Sequence, residues 1–298
     1  MSATQRFVPL FPAALFMAAV APQAAAQEIS VGRYYELETK YLFGFTAGAD
    51  IGLEGENEVE SETTVGLGAR RGAFSAVEQE FEYENVPTQF WNNEFSLHTL
   101  WNRIDDVPGI DNRDSVNFSG FSWKSRISIV PRGPGNPFGV MVWFQPEWGR
   151  IDGTSGASAT TFALNTGLAV DTEIIPNMFY AAANLLYEPE YATAPGDPVW
   201  SRAAGFGATA AIAYRVTPKV TLGGGLQYYR DYEGFGFDTY NGSALYAGPT
   251  VHIQFNPKVF LVAAWSTQIA GQARGEPGNL NLADFTRQMA SLKMGYEF

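Results

Sequence analysis

The chain ends in the stretch A-S-L-K-M-G-Y-E-F at residues 290–298, in which every second residue is apolar. Counted back from the terminus, these positions hold Phe298, Tyr296, Met294, Leu292 and Ala290, and the residues between them are small or charged. Successive side chains of a β-strand point to opposite faces, so this alternation predicts a strand with one apolar face and one polar face. The predicted strand continues to the last residue of the chain.

Eleven further segments alternate in the same way, at about the 10-residue length of a tilted membrane strand. The segment 259–266 fits least well, because it is apolar on both faces. We therefore predict an all-β protein, a single antiparallel transmembrane β-barrel of about 12 strands, with counts of 10 and 14 still open. The predicted strands are 59–67, 77–83, 91–101, 121–129, 140–148, 162–170, 179–187, 205–214, 220–228, 245–255, 259–266 and 290–298.

The terminal strand resembles the C-terminal strand of bacterial outer-membrane β-barrels, which ends on an aromatic residue. This resemblance implies that Tyr296 and Phe298 form an assembly signal read by the barrel-insertion machinery. The segment 44–52, followed by a run of glutamates, is similar to the start of a group of uncharacterised proteobacterial outer-membrane proteins. That second resemblance implies no activity and no functional residues.

The connections between the predicted strands alternate in length. Tight proline-containing turns occur at 175–177, 217–219 and 256–258, whereas longer polar stretches occur at 102–115, 152–160, 191–199, 231–242 and 270–283. Short turns on one rim and longer loops on the other are typical of outer-membrane barrels, in which the short side is periplasmic. We therefore expect short periplasmic turns and longer extracellular loops.

The N-terminus predicts export. One positive charge lies within residues 1–6, residues 7–20 are mostly apolar, and Ala24–Ala26 offer the small residues that signal peptidase requires. We expect residues 1–26 to be a cleaved secretory signal peptide, 27–55 an N-terminal periplasmic segment, and 56–298 the transmembrane barrel. Whether residues 27–55 stay in the periplasm or plug the barrel is left open by the sequence.

The composition narrows the function classes. The 298 residues carry a formal net charge of −12, which disfavours nucleic acid as a partner. The chain contains no cysteine, so its stability cannot depend on disulfides. Outside the predicted signal peptide, no segment of the sequence approaches the 18 consecutive apolar residues of a transmembrane helix, whereas a closed barrel satisfies all backbone hydrogen bonds within a bilayer.

An unusual ladder of carboxylates lies on the predicted inward faces of the first two strands. Because their outward neighbours are apolar, we predict that these glutamates point into the lumen of the barrel, in its periplasmic half, together with cations from other strands. Paired charges would plug the lumen, whereas an excess of carboxylates would form a constriction that attracts cations. The predicted lumen charge cluster is Glu58, Glu60, Glu62, Glu78, Glu80, Glu82, Glu84, Lys124, Arg126, Arg215, Arg287 and Lys293.

Enzymatic and metal sites are weakly supported. The two histidines, His98 and His252, both fall on inward faces, so no Ser-His-Asn set faces the bilayer as in an outer-membrane phospholipase. We interpret both as residues of the polar lumen and predict no catalytic residues and no cofactor. Four aspartates of one long loop, Asp105, Asp106, Asp111 and Asp114, match no calcium-loop spacing, so no metal site is predicted.

The pattern as a whole predicts a narrow, porin-like channel in the bacterial outer membrane for small polar or cationic solutes. The alternative is a closed structural barrel whose extracellular loops bind a surface partner or lipopolysaccharide, and a lipid-modifying enzyme is the third hypothesis. The expected partners are outer-membrane lipids and lipopolysaccharide, the barrel-insertion machinery and small solutes.

Overall fold

The computed structural model describes residues 37–69, 71–133 and 136–298. The predicted signal peptide, 1–26, lies outside the described residues, as do residues 27–36. The described chain forms twelve antiparallel strands that close into one barrel, which confirms the predicted fold class and strand count. The strands are β1 (Asn57–Leu67), β2 (Ala73–Thr88), β3 (Trp91–Asp105), β4 (Arg113–Val130), β5 (Phe138–Ile151), β6 (Ser158–Ile175), β7 (Phe179–Thr193), β8 (Ser201–Thr217), β9 (Val220–Glu233), β10 (Thr239–Asn256), β11 (Val259–Ala273) and β12 (Gln288–Glu297).

The terminal strand closes the barrel by pairing with β1. In this register Glu62 lies opposite Lys293 and Val59 lies opposite Tyr296, and the Phe298 amide donates to the Asn57 carbonyl at 2.9 Å. Because β12 also pairs with β11, no strand is left with an open edge.

The outward faces carry the apolar residues of the alternating pattern. Phe81, Leu97, Leu185, Leu226 and Trp265 are each at least half exposed. A water-soluble protein rarely exposes so many large apolar side chains, whereas a lipid-facing surface requires them. Among the described residues, no helix is long and apolar enough to cross a membrane.

The two rims differ in their connections. The turns 176–178, 218–219 and 257–258 are short, whereas the opposite rim carries longer loops such as 106–112, 194–200 and 274–287. Following the outer-membrane arrangement, we refer to the short-turn rim as periplasmic and to the long-loop rim as extracellular.

Residues 37–51, which we call the luminal segment, lie inside the barrel. They form turns and bends without helix or strand, and Leu42, Phe43, Phe45 and Ala47 are buried against the inner wall. This placement differs from the periplasmic one expected for 27–55. The inner wall of β5–β11 presents apolar side chains that water would solvate poorly, and the luminal segment covers them.

Candidate functional site

Glutamates face one another directly across the first two strands. The register places Glu58 opposite Glu84, Glu60 opposite Glu82, and Glu62 opposite Glu80. All six side chains are buried on the inward face. Like charges directly opposite each other repel, so this arrangement requires cations between the carboxylates.

Two lysines supply much of that compensation. Lys293 of β12 lies 2.9 Å from carboxylate oxygens of both Glu60 and Glu62. Lys40 of the luminal segment lies 2.8 Å from Glu58 and 2.7 Å from Glu84. One of the two bridging cations therefore belongs to the barrel and the other belongs to the segment inside it.

The charged region extends onto the next two strands. Lys124 of β4 contacts Glu94 of β3 and lies 4.0 Å from Glu82, and Arg126 Nε lies 3.0 Å from Glu94 Oε1. We call the inner surface of β12 and β1–β4 the charged wall. Its carboxylates are Glu58, Glu60, Glu62, Glu78, Glu80, Glu82, Glu84 and Glu94, and its cations, with the lysine from the luminal segment, are Lys40, Lys124, Arg126, Lys293 and His98.

The structure brings together most of the predicted lumen charge cluster, but two arginines lie elsewhere. Arg287 is exposed in the connection before β12, because the strand begins only at Gln288. Arg215 lies near the periplasmic end of β8, where its guanidinium donates to the Pro218 carbonyl at 3.2 Å. Glu94 and Lys40 also belong to the charged wall, although neither was among the residues predicted from the sequence. Alternation along β3 could have identified the first, whereas no local pattern points to the second.

Burial and charge shift the pKa of two groups next to the charged wall. Burial lowers the pKa of the Lys40 ammonium, but the carboxylates of Glu58 and Glu84 outweigh that effect and raise it well above its usual value. Lys40 is therefore held in its charged form by these two carboxylates. Burial raises the pKa of the Glu56 carboxyl, just before β1, to about 7, although the nearby Lys40 opposes the shift.

Two sets of carboxylates have the spacing of a cation site. One oxygen each from Glu60, Glu82 and Glu84 lie within 4.8 Å of one another, and the same holds for Glu56, Glu58 and Glu84. Lys40 and Lys293 already contact members of these sets. Within the described part of the chain, neither set includes an aspartate of the loop between β3 and β4.

The predicted histidines occupy different surroundings in the lumen. His98 Nε2 lies 3.0 Å from Ser122 Oγ, and its Nδ1 lies 3.1 Å from Glu78 Oε1. This is the order of groups in a catalytic triad, but Ser122 and His98 are only 4% and 2% exposed, so the serine is closed to substrate in this conformation. His252 stacks on Phe260 with ring centroids 6.1 Å apart.

The inner surface of β5–β11 also carries buried apolar residues that form two clusters with the luminal segment, and we call the wall residues of these clusters the apolar wall. Phe45, Ala47, Ala49 and Ile51 of the luminal segment join one buried cluster with wall residues of this surface. Leu42 and Phe43 join a second cluster. The wall residues of the two clusters include Met141, Trp143, Ala169, Leu186, Tyr229, Tyr246 and Ala264 in the first and Tyr180, Ala182, Ala211 and Ala213 in the second.

Polar contacts fix the backbone of the luminal segment. Asn184 of β7 accepts a hydrogen bond from the Ala47 amide at 2.6 Å and donates to the Ala47 carbonyl at 3.0 Å. Asp171 of β6 accepts from the Ala49 amide at 2.8 Å and from the Thr39 hydroxyl. Each bond satisfies a group that is buried away from water.

Gly44 and Gly48 allow the segment to fold this tightly. Gly44 has a φ of +60°, and a Cβ at this position would lie 2.7 Å from the Ala264 Cβ. At Gly48 a Cβ would approach the Thr39 carbonyl oxygen to 2.3 Å. Side chains at these two positions would push the segment away from the wall or open its turn.

At the extracellular end of the barrel, the loop between β11 and β12 covers part of the lumen. Gln268 exchanges hydrogen bonds with the backbone of Asn281, at 2.6 and 3.0 Å. The Tyr246 hydroxyl donates to the Thr286 carbonyl at 2.5 Å, and Phe285 is buried in the same cluster as Phe45. The lumen is therefore narrowed from both ends.

A closed barrel with an apolar outer face and a charged interior defines this protein as an outer-membrane β-barrel. Its sequence from residue 36 to residue 298 matches the family model described as Family of unknown function (DUF6662), so the chain belongs to that family. No curated protein has a matching sequence.

Several solved structures are similar to this chain at low sequence identity. The β domain of the Bordetella autotransporter BrkA is similar with a TM-score of 0.51 and 14% identity, over 82% of this chain and 98% of that chain. The NanC porin is similar with a TM-score of 0.47 and 8% identity, over 80% of this chain and 98% of that chain. The KdgM porin is similar with a TM-score of 0.44 and 10% identity, over 81% of this chain and 99% of that chain. The likeness to the BrkA domain shows the barrel fold alone.

Proposed function

We propose that this protein is a gated outer-membrane channel for small polar or cationic solutes, and that the luminal segment is its gate. The charged wall carries the main support for this proposal. It faces the lumen with eight carboxylates, against four lysine or arginine cations and His98. A negative excess in a narrow, weakly screened space attracts cations and repels anions.

The way in which the luminal segment is held supports its role as a gate. It has no strand pairing with the barrel and is attached through side chains, turns and the link to β1. Lys40 places its ammonium between Glu58 and Glu84, where a solute cation would bind once the segment moved away. A solute cation and the Lys40 ammonium therefore compete for the same carboxylates, so entry of a cation favours release of the segment.

Planar-bilayer recordings of the purified protein test this proposal. We expect stepwise conductance with rare openings, and a reversal potential in a salt gradient that reports cation preference. Lys40→Met removes the cation that holds the segment on the charged wall, so openings should become more frequent. Lys258→Met, in the exposed turn after β10, is the matched control and should behave as wild type.

A second pair of variants tests selectivity. Replacing Glu80 and Glu82 with glutamine should reduce the cation preference, whereas Glu233→Gln at the exposed end of β9 should not. Anion preference of the wild-type protein would contradict the proposal. Silence of both the wild-type protein and Lys40→Met would favour the alternative, a closed structural barrel whose loops bind a partner.

We also propose that Tyr296 and Phe298 act as the signal for the barrel-insertion machinery, after cleavage of the signal peptide behind Ala26. Both rings are about half exposed on the periplasmic rim and stack with centroids 6.2 Å apart. Deleting Phe298 removes one ring, which costs only about 1.5–3 kcal/mol even if it were fully buried. We expect a larger loss of inserted, heat-modifiable protein in cells, and wild-type levels would contradict this role.

A further inference from the structure

The outer face of β7–β10 near the extracellular rim carries an unusual combination of charge and aromatic rings. On the outward positions of β6–β10, the only charged residues are Arg202 and Arg230. Both lie toward the extracellular ends of their strands, in a chain whose net charge is −12. At this depth an outward arginine lies among lipid headgroups rather than acyl chains, so an anionic headgroup is the counter-charge available to it.

Aromatic rings hold both guanidinium groups in place. The Arg202 guanidinium carbon lies 5.9 Å from the Tyr191 ring centroid and 5.7 Å from that of Phe235. The corresponding carbon of Arg230 lies 5.1 Å from the Tyr240 ring, and its Nη1 donates to the Tyr232 hydroxyl at 3.1 Å. We call these six residues the arginine–aromatic surface.

No carboxylate neutralises these arginines. Among the described residues, neither Arg202 nor Arg230 forms a salt bridge. Asp231 and Glu233 of β9 occupy positions of the inward-facing set. On β3 and β4, by comparison, the register places the outward Arg103 opposite a carboxylate, Asp114, whereas Arg202 lies opposite Tyr191 and Arg230 opposite Phe206. The arginine–aromatic surface therefore keeps free donors for an anion.

The loop between β9 and β10 folds onto this surface. Tyr187 of β7 donates to the Phe235 carbonyl at 2.5 Å, and the Phe237 ring contacts Tyr232 edge-on at 4.8 Å. Below these rings the outward face becomes purely apolar, with Leu185 and Leu226 half exposed. From the extracellular rim downward, the surface thus presents charged donors, then aromatic rings, then aliphatic side chains. This order matches that of a membrane lipid, whose headgroup is followed by a glycosidic or glycerol region and then by acyl chains.

We propose that the arginine–aromatic surface binds a phosphorylated glycolipid of the outer leaflet, of the lipid A class. Arginine binds phosphate through paired hydrogen bonds, and aromatic rings pack on the faces of sugars at the membrane interface. The register places Arg230 opposite Phe206, four residues from Arg202, so the two arginines lie about 13 Å apart along the strand. A disaccharide with a phosphate at each end spans such a separation better than a single glycerol phosphate.

Binding of defined lipids to the purified full chain in detergent tests this site. Native mass spectrometry would compare bisphosphorylated lipid A, the same glycolipid without phosphates, and phosphatidylglycerol. Wild-type protein should bind lipid A, and the affinity should fall as salt rises. The double variant Arg202→Gln and Arg230→Gln should bind lipid A roughly 30-fold more weakly.

The controls separate recognition from folding. Arg150→Gln removes an exposed arginine at the end of β5 and should bind as wild type, and the conservative double variant Arg202→Lys and Arg230→Lys should retain part of the affinity. Heat-modifiable mobility will show that each variant is folded before binding is measured. Three outcomes would overturn the proposal: unchanged affinity of the double glutamine variant, equal binding of the dephosphorylated glycolipid, or equal binding of phosphatidylglycerol.

Discussion

The charged wall and the apolar wall face the same lumen, yet they contact the luminal segment in different ways. The charged wall offers carboxylates in opposed pairs, and it binds the segment through Lys40 and through the Tyr41 hydroxyl, which donates to Glu58 at 2.6 Å. The apolar wall offers methyl groups and rings, and it buries Leu42 and Phe43. The luminal segment is therefore amphipathic across the lumen, although it is neither a helix nor a strand.

This difference shows that the interior of the barrel is built around an occupant. An apolar inner wall exposed to a water-filled pore would lose the favourable free energy of burial. A wall of opposed glutamates without Lys40 would leave two buried carboxylates without their cation. Both walls are thus complete only with the segment in place, and the contribution of each wall to holding it is measurable.

Removing the cation should have the largest effect. Lys40→Met leaves Glu58 and Glu84 buried without their shared partner, which we expect to destabilise the seated segment by about 3–5 kcal/mol. Hydrogen exchange of the amides in residues 37–51 should accelerate accordingly, while the barrel strands remain protected. Unchanged exchange in this variant, as in the exposed control Lys258→Met, would show that the charged wall does not hold the segment.

Truncating the apolar contact should come next. Phe43 is 1% exposed and packs against Tyr180, Ala182, Ala211 and Ala213. Phe43→Ala should cost about 3 kcal/mol, the lower end for such cavities, because a segment made of turns can partly collapse into the space. Hydrogen exchange of residues 37–51 should again become faster. The control Phe90→Ala, in the exposed turn after β2, should leave this exchange unchanged. A stronger effect than that of Lys40→Met would reverse the ranking of the two walls.

The hydrogen bonds between Asn184 and the Ala47 backbone are neither an ion pair nor an apolar contact, and they can be tested separately. Asn184→Ala removes both bonds to Ala47 and leaves a buried N–H and C=O without partners, which should cost about 1–3 kcal/mol. Asn241→Ala, which loses a bond to Asp231 near the extracellular rim, is the control. Equal exchange of residues 37–51 in the two variants would mean that Asn184 orders the wall rather than the segment.

The smallest effect is expected at Tyr41, where one substitution distinguishes the contribution of the hydroxyl from that of the ring. Tyr41 stacks on Phe260 with ring centroids 4.0 Å apart and also donates to Glu58. Tyr41→Phe keeps the ring and removes the donor, so we expect a loss of only about 1 kcal/mol, since Lys40 still compensates Glu58. Tyr83→Phe, which loses a bond to Asn57 on the outer face, should leave the exchange of the segment unchanged. A large effect of Tyr41→Phe on this exchange would show that the charged wall holds the luminal segment through the Tyr41 hydroxyl as well as through Lys40.

The difference between the two walls also explains the predicted strand that fitted the alternating pattern least well. The segment 259–266 is apolar on both faces, which fits poorly with a barrel strand that has water on its inner side. In the structure, Phe260, Val262 and Ala264 of β11 are buried inward, where Phe260 stacks on Tyr41 and Ala264 shares a cluster with Phe45. The apolar inward face was visible in the sequence, but its cause, contact with the luminal segment, was not.

The sequence by itself determined the twelve strands, their faces and most of the charged wall. Alternation is a local property of an extended backbone, so a side chain two residues away always shares the same face. The register that opposes Glu60 and Glu82 followed from the short connection between the two strands and from the burial of one face. Arg287 was misplaced because the start of β12 is set by the loop that folds into the lumen.

Only the tertiary structure decided what fills the barrel. The contacts of the luminal segment join residues far apart in the chain, such as Ala47 with Asn184 and Thr39 with Asp171, 137 and 132 residues apart. The segment has no periodicity, because each of its residues meets a different part of a closed wall. Its position follows from the free energy of filling an enclosed space, and that space exists only once β1 and β12 have paired.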